Sequence, residues 1–244
     1  MPLPLTHLEH FALLYFLLMW SGYAYYAKYR ARNTQLSSLS RALRSHREAW
    51  AARLLHREMR MTDAAVLANQ ERVVGFFAST TLLIMAAVLT ALTTSEQIVE
   101  LTSHIPFSTR QTIGQVQAKL ALLMLVLTFA FFKVTWSLRQ YGFATMILGA
   151  APSPGETISE QQREAFVCNL AKLVDEAGHN NNSGLRAYYF ALSLLCWLIG
   201  TELFVVATTL TVIVLYHREC NSRTVHSIVS AHIPLTDTEQ HPAD

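Results

Sequence analysis

Two charged side chains stand inside apolar runs, where charge is costly and therefore chemically suggestive. Lys133 interrupts "TFAFFKVTWSLRQYGFATMILGAAP" (128–152), and Glu202 has "YYFALSLLCWLIGT" before it and "LFVVATTLTVIVLY" after it. A carboxylate so far from either flank reaches water poorly, so it must be protonated, hydrogen-bonded or ion-paired. One chemistry is a neutral glutamic acid bonding a neighbouring helix through a hydroxyl such as Ser79, Thr80 or Thr81. The other is a proton or cation site, with Lys133 as the nearest basic group in the apolar regions. Both readings stand open.

Lys133 has its own alternatives. With Trp136, Ser137 and Gln140 it forms a polar stripe at i, i+3, i+4 and i+7 of one helix face. Such a stripe on a membrane helix faces protein or a wet cavity, because lipid cannot satisfy it. Alternatively Lys133, about 9 Å above the boundary set by Arg139, snorkels to the interface, where Trp136 and Arg139 anchor the helix end.

The elements that would position these groups are membrane helices. The chain of 244 residues is 52% hydrophobic and 15% charged, with the apolar residues in long runs; a soluble domain carries about 25% charged residues. The pattern predicts an all-α, polytopic membrane protein with four transmembrane helices and amphipathic cytoplasmic helices. A hydrocarbon core of about 30 Å needs roughly 20 apolar residues, and the segments 11–27, 73–92, 120–138 and 187–216 qualify, the last overlong. The formal net charge of +2 gives no support for nucleic acid as a partner. Cys168, Cys196 and Cys220 are far apart and form no CxxC pair, which argues against a thiol metal site or a disulfide framework. The start "MPLPLTHLEH" lacks a basic n-region and reads as the approach to a retained helix.

Orientation follows from the basic residues. Lys28, Arg30, Arg32, Arg41, Arg44, Arg47, Arg53, Arg57 and Arg60 separate the first two helices, whereas residues 93–117 hold only Arg110. The positive-inside bias puts 28–72 in the cytoplasm and both termini outside. Leu36, Leu39, Leu43, Trp50, Leu54 and Met61 recur at helical spacing among those arginines. They predict an amphipathic basic helix, packed on its own bundle or drawn to anionic lipid along 41–60. A second cytoplasmic helix starts after "GAAPSPGE" with capping-box spacing at Thr157 and Glu160, and Gly178 with "HNNNSG" is expected to end it. A single domain then covers 1–223, with 28–72 and 139–186 cytoplasmic and 224–244 a flexible tail.

His7, His10, His104, His217, His226, His232 and His241 gather on the proposed outer side without ligand-type spacing. No metal site or cofactor is expected from them, although a metal or haem redox protein is the third functional reading. No GxGxxG, Walker A, GxSxG or HExxH pattern occurs, and nothing nominates a nucleophile with its base.

Five stretches in order, "MRMTDAAVLANQ", "FFASTTLLI", "FKVTWSLRQYGFATMILGAAP", "SGLRAYYFALSLLCW" and "LYHRECNS", resemble an uncharacterised family of integral membrane proteins from bacteria and plants, catalogued only as a domain of unknown function. The resemblance covers about residues 10–223. It implies a four-helix membrane fold with no established activity or cofactor; the expected location is a bacterial inner membrane. It also marks Asp63, Asn69, Lys133, Arg139 and Arg186 as family-pattern positions, and Trp136 joins them as an interface candidate. The expected function is that of a non-enzymatic assembly or accessory component, acting by helix packing as a homo-oligomer or with a membrane-protein partner. The alternative is a subunit of a homo-oligomeric channel or transporter, with Glu202 and Lys133 on the path.

Overall fold

The stretch that admits Lys133 and Arg139 does not end a helix. In the computed structural model, which describes residues 5–32, 39–104, 109–220, 227–228 and 230–231, it lies within one helix of 37 residues, α5 (Ile113–Gly149). At 1.5 Å per residue α5 is about 55 Å long, well beyond a hydrocarbon core. The other elements are α1 (His7–Arg32), α2 (Leu39–Leu54), α3 (Met61–Thr93), α4 (Ser95–Ser103), α6 (Glu160–Trp197) and α7 (Thr201–Cys220). Among the described residues the fold is all-helical. By length and composition, three helices can cross a membrane: α3, α5 and Thr201–Arg218 of α7.

Two sequence expectations for α6 are corrected. The capping box that starts it is Ser159 with Gln162, two residues beyond Thr157 and Glu160: the Ser159 hydroxyl accepts from the Gln162 N–H, and the Gln162 side chain accepts from the Ser159 N–H. Gly178 and "HNNNSG" do not close the helix, which continues unbroken to Trp197. Its glycines serve close approach instead. A methyl group on Gly184 would stand 2.6 Å from Val134 Cγ2, and one on Gly178 would stand 2.7 Å from Arg47 Nη2. Missing side chains, rather than a chain reversal, let α5 and α2 lie against α6.

The expected helix over 187–216 is also corrected: it is a hairpin. The chain turns at 198–200, where the N–H groups of Ile199 and Gly200 bond back to Cys196 O. The turn carbonyls are satisfied from the segment leading into α5. Gln111 Nε2 donates to Leu198 O (2.6 Å) and the Thr109 N–H to Ile199 O (3.2 Å). Stacked rings of Trp197 and Phe204, with centroids 4.6 Å apart, and a Ser193–Thr211 hydroxyl bond of 3.0 Å close the hairpin.

This hairpin alters the topology. Phe16 against Phe204, Tyr15 bonded to Thr209 and Tyr26 against Tyr216 show α1 and α7 running in the same direction. The N-terminal turn of α1 lies beside the start of α5, whereas Ile228 O accepts from His46 Nε2 on α2 (2.7 Å). The described residues nearest the two termini therefore lie at opposite ends of the bundle, against the expectation of a shared side. The flexible tail expected over 224–244 lies outside the described residues, apart from 227–228 and 230–231.

The core has two layers along α5 and α6. One collects Phe16, Leu120, Leu123, Leu127, Phe190, Trp197 and Phe204 from α1, α5, α6 and α7. The other collects Leu54, Leu67, Val74, Val134, Tyr141, Leu170 and Val174 from α2, α3, α5 and α6. The Gly184–Val134 contact marks the waist between them. Around the bundle, large apolar side chains face outward, among them Phe11 (71% exposed), Leu83 (72%) and Phe132 (66%).

Candidate functional site

The polar stripe of α5 faces protein. Lys133 Nζ donates to Asn180 Oδ1 on α6 (3.2 Å), Asn180 Nδ2 donates to Gln140 Oε1 (2.8 Å), and Ser137 Oγ donates to Ala177 O (2.7 Å). Ser137 and Gln140 are buried, and Lys133 is half-buried with Nζ 5.9 Å from the Phe129 ring centre. Asn180, in the segment read as a helix end, is the hub of this chain of bonds.

Two members of the stripe, Trp136 and Gln140, line a polar cleft of about 270 Å³ between α2, α5 and α6. Arg44 and Arg47 come from α2, Trp136 and Gln140 from α5, and Asp175, Glu176, His179, Asn180 and Asn182 from α6. Arg47 lies across Gly178 because that position has no side chain, and its guanidinium pairs with Asp175. Among the described residues Arg44 pairs with Glu48, four residues on and largely in solvent, a contact of small value. Trp136, half-exposed, stands at the mouth. The lining can hold a small ligand that carries both charges.

The remaining candidates disperse. Asp63 is 2% exposed and ties α3 to α2: its Oδ1 accepts from Trp50 Nε1 (2.8 Å) and pairs with Arg57. Arg60 donates to Ala151 O (2.7 Å) and Pro152 O, so the loop before α3 holds the end of α5. Asn69 and Ser79 are exposed. Thr81 bonds Phe77 O (2.6 Å) and the Tyr188 hydroxyl, and with Thr80 it lines an apolar crevice between α3, α5 and α6. Arg139 lies over the Phe143 ring and Arg186 over the Tyr23 ring.

Glu202 is placed otherwise than the sequence suggested. It is exposed, in the first turn of α7, where a carboxylate is favoured by the helix N-terminus. Its turn adjoins Trp197, and Lys133 bonds Asn180; seventeen residues of α6 separate these, about 26 Å. Glu202 and Lys133 thus belong to different regions. Among the described residues, no three His, Cys, Asp or Glu side chains gather into a metal-holding group. His7, His10, His104 and His217 are exposed, and His226, His232 and His241 lie outside the described residues.

The most buried charged pair escaped sequence reading. Lys119 Nζ lies 2.6 Å from Glu9 Oε1, with side-chain exposures of 0% and 6%. Lys119 also donates to Gln111 Oε1 (2.8 Å) and Trp197 O (3.3 Å), and sits over the Trp197 ring at 5.1 Å. Its charge therefore meets the last carbonyls of α6, the negative end of that helix. Glu9 is held in turn by a capping box: the Thr6 N–H donates to its Oε2 (2.9 Å) and the Glu9 N–H to Thr6 Oγ1 (3.3 Å). Gln115, which caps α5 together with Thr112, donates to the same carboxylate (3.2 Å). Burial works against the Glu9 charge, but the bonds from Lys119 and Thr6 and the Lys119 charge outweigh it and hold the carboxyl below its ordinary range. The signal was present in "THLE", whose Thr6 and Glu9 have capping-box spacing, and in a lone lysine at the head of an apolar helix.

Among the described residues, fold and sites define an all-helical arrangement with three helices long and apolar enough to cross a membrane and polar groups collected at two levels. Residues 11–224 match the family model described as "Protein of unknown function, DUF599", and the chain belongs to that family. Neither the curated proteins nor the solved structures provide a match.

Proposed function

We propose that this protein is an integral component of a bacterial inner membrane that acts by helix packing, as a non-enzymatic assembly or accessory subunit in a homo-oligomer or with a membrane-protein partner. The observation that carries the reading is the contrast between surface and interior. Apolar side chains face outward on α1, α3, α5 and α7, whereas the interior of the first layer is filled by Phe16, Phe190, Trp197, Phe204 and their neighbours. Outward apolar faces on several helices suit lipid or partner helices, not water.

In this reading α3, α5, α7, the 11–27 stretch of α1 and the apolar end of α6 cross the bilayer, an odd number that suits termini at opposite ends. The α2 end is cytoplasmic, because Lys28, Arg44, Arg53 and Arg218 cluster there while Lys119 is neutralised by Glu9 at the other. Apolar packing of α2 through Ala49, Ala51 and Leu54, with Arg47, Arg57 and Arg60 engaged internally, supports the bundle-packed reading of that helix.

Gentle purification followed by native mass measurement tests the proposal. A stable oligomer or a co-purifying membrane protein is expected, and a lone monomer in every lipid and detergent tried would refute it. Ion flux through reconstituted protein that falls with Glu202→Gln would turn the reading toward the channel.

A further inference from the structure

We propose that the cleft between α2, α5 and α6 is a binding site for a zwitterionic phospholipid headgroup, one bearing a phosphate and a primary amine. It rests on the membrane placement proposed above but not on the assembly role.

The cleft offers matched charge. Its lining takes Arg44 and Arg47 from α2 and Asp175 and Glu176 from α6, with Arg47 and Asp175 already paired, and adds the amides of Gln140, Asn180 and Asn182. Guanidinium groups suit phosphate through paired N–H donors. Arg47 is fixed for that task by the Asp175 pair and by the bare backbone of Gly178. Arg44, exposed and, among the described residues, tied to Glu48 on its own helix, exchanges a weak solvated contact for a phosphate at little cost. A headgroup that is purely anionic would set its charge beside the Glu176 carboxylate without compensation. An ammonium group removes that conflict, so the acidic wall selects for the amine.

The mouth of the cleft argues for a lipid rather than a soluble ligand. Trp136 at the mouth is half-exposed, and Phe132 (66% exposed) and Phe129 (40%) continue one ridge of α5 from it toward the first core layer. Positions 129, 132, 136 and 140 follow helical spacing. A headgroup in the cleft therefore leaves its acyl chains on Phe132 and Phe129, with a tryptophan at the polar–apolar boundary where tryptophan is enriched. The waist of the bundle is the interface level that this geometry requires.

The test uses the full chain in a neutral detergent, with phosphatidylethanolamine, phosphatidylglycerol or water-soluble phosphoethanolamine added and bound lipid read by native mass spectrometry. Wild-type protein is expected to retain phosphatidylethanolamine over phosphatidylglycerol, and Arg44→Gln to weaken that retention about tenfold, the value of one charge-assisted hydrogen bond. Glu176→Gln is expected to abolish the preference between the two lipids. Both side chains are exposed, and thermal unfolding of each variant alongside wild type verifies that folding is intact. Equal retention of the two lipids, or Arg44→Gln retention at the wild-type level, overturns the proposal. Phosphoethanolamine competing as well as the whole lipid overturns the lipid assignment in favour of a soluble ligand of the same headgroup chemistry. The oligomer mass in the same spectra reports on the assembly role separately, so failure of one reading is visible without failure of the other.

Discussion

The two ends of the bundle treat charge in opposite ways. At the start of α5, Lys119 and Glu9 form a sealed pair, 0% and 6% exposed, bonded further by Gln111, Gln115, Thr6 and the Trp197 carbonyl and covered by the Trp197 ring. Around α2, two pairs of the same chemistry stay open, Arg47–Asp175 at 19% and 30% and Arg44–Glu48 at 58% and 50%, while in Arg57–Asp63 only the arginine (43%) reaches solvent and the carboxylate (2%) is buried. A dry pair has no water to replace a lost partner, so it binds helices together and leaves nothing for a ligand. A wet pair contributes little to stability and can exchange partners. The difference fits a structural role for the sealed pair and leaves Arg44 and Arg47 free to take part in the headgroup binding proposed above.

The largest effect that would break this contrast is at the sealed pair. Lys119→Met leaves Glu9 buried without its cation, and a loss of roughly 3–5 kcal/mol in unfolding free energy is expected. Adding Glu9→Gln should restore much of it, and a double-mutant cycle on denaturant unfolding measures the coupling. Acid probes the same pair. The folded carboxyl of Glu9 is depressed, so its contribution is present above the ordinary carboxylate range and is lost as pH falls through the folded value. Unfolding temperature should fall on acidification in wild type and fall less in Glu9→Gln. An equal decline in both places the acid sensitivity elsewhere.

The waist comes next. Gly184→Ala should cost about 1–3 kcal/mol, because Val134 Cγ2 and the Ala130 carbonyl are too close for a methyl group. Gly178→Ala should cost less, since the displaced atom is the far end of Arg47, but it should disturb the cleft more. Chemical unfolding separates the two, and the reverse order would show that the Arg47–Asp175 pair matters more to stability than its exposure suggests. Removing the buried Ser137 hydroxyl with Ser137→Ala should cost about 1 kcal/mol. The smallest effect belongs to the open end: Arg44→Gln should change unfolding free energy by no more than about 0.5 kcal/mol. A larger loss would make that arginine a structural residue after all.

Hydrophobic clumping was legible in the sequence because it depends only on composition along the chain. It correctly gave the helical class, and α3 and α5 lie where the runs at 73–92 and 120–138 predicted them, though both extend further. The turn at 198–200 carries one local mark, Gly200 ahead of Thr201 and Glu202, which is weak beside the apolar runs on both sides. Gln111 and Lys119, about eighty residues earlier in the chain, supply the bonds that terminate α6. The opposite error occurred at Gly178 and Asn180, which read as a helix end. Their types satisfy tertiary neighbours, Arg47 and Lys133, and local rules cannot distinguish a residue chosen for a partner from one chosen for a turn. The stripe on α5 was legible as a face, but its partners were not, since they arise only once α6 runs straight past it.

The long reach of the Glu9 contacts sets an order of assembly. Its carboxylate bonds a side chain 106 residues away, and the lysine that neutralises it also needs the Trp197 carbonyl to complete its own bonds. During synthesis the first turn of α1 therefore waits, with only its Thr6 bonds, until α5 and then the end of α6 have been made. Closing so distant a contact is slow relative to forming the helices themselves. The start of α1 is thus among the first elements made but is completed only after α6, and a chain stopped before the end of α6 would expose an incomplete charge pair where the finished protein has a dry seal.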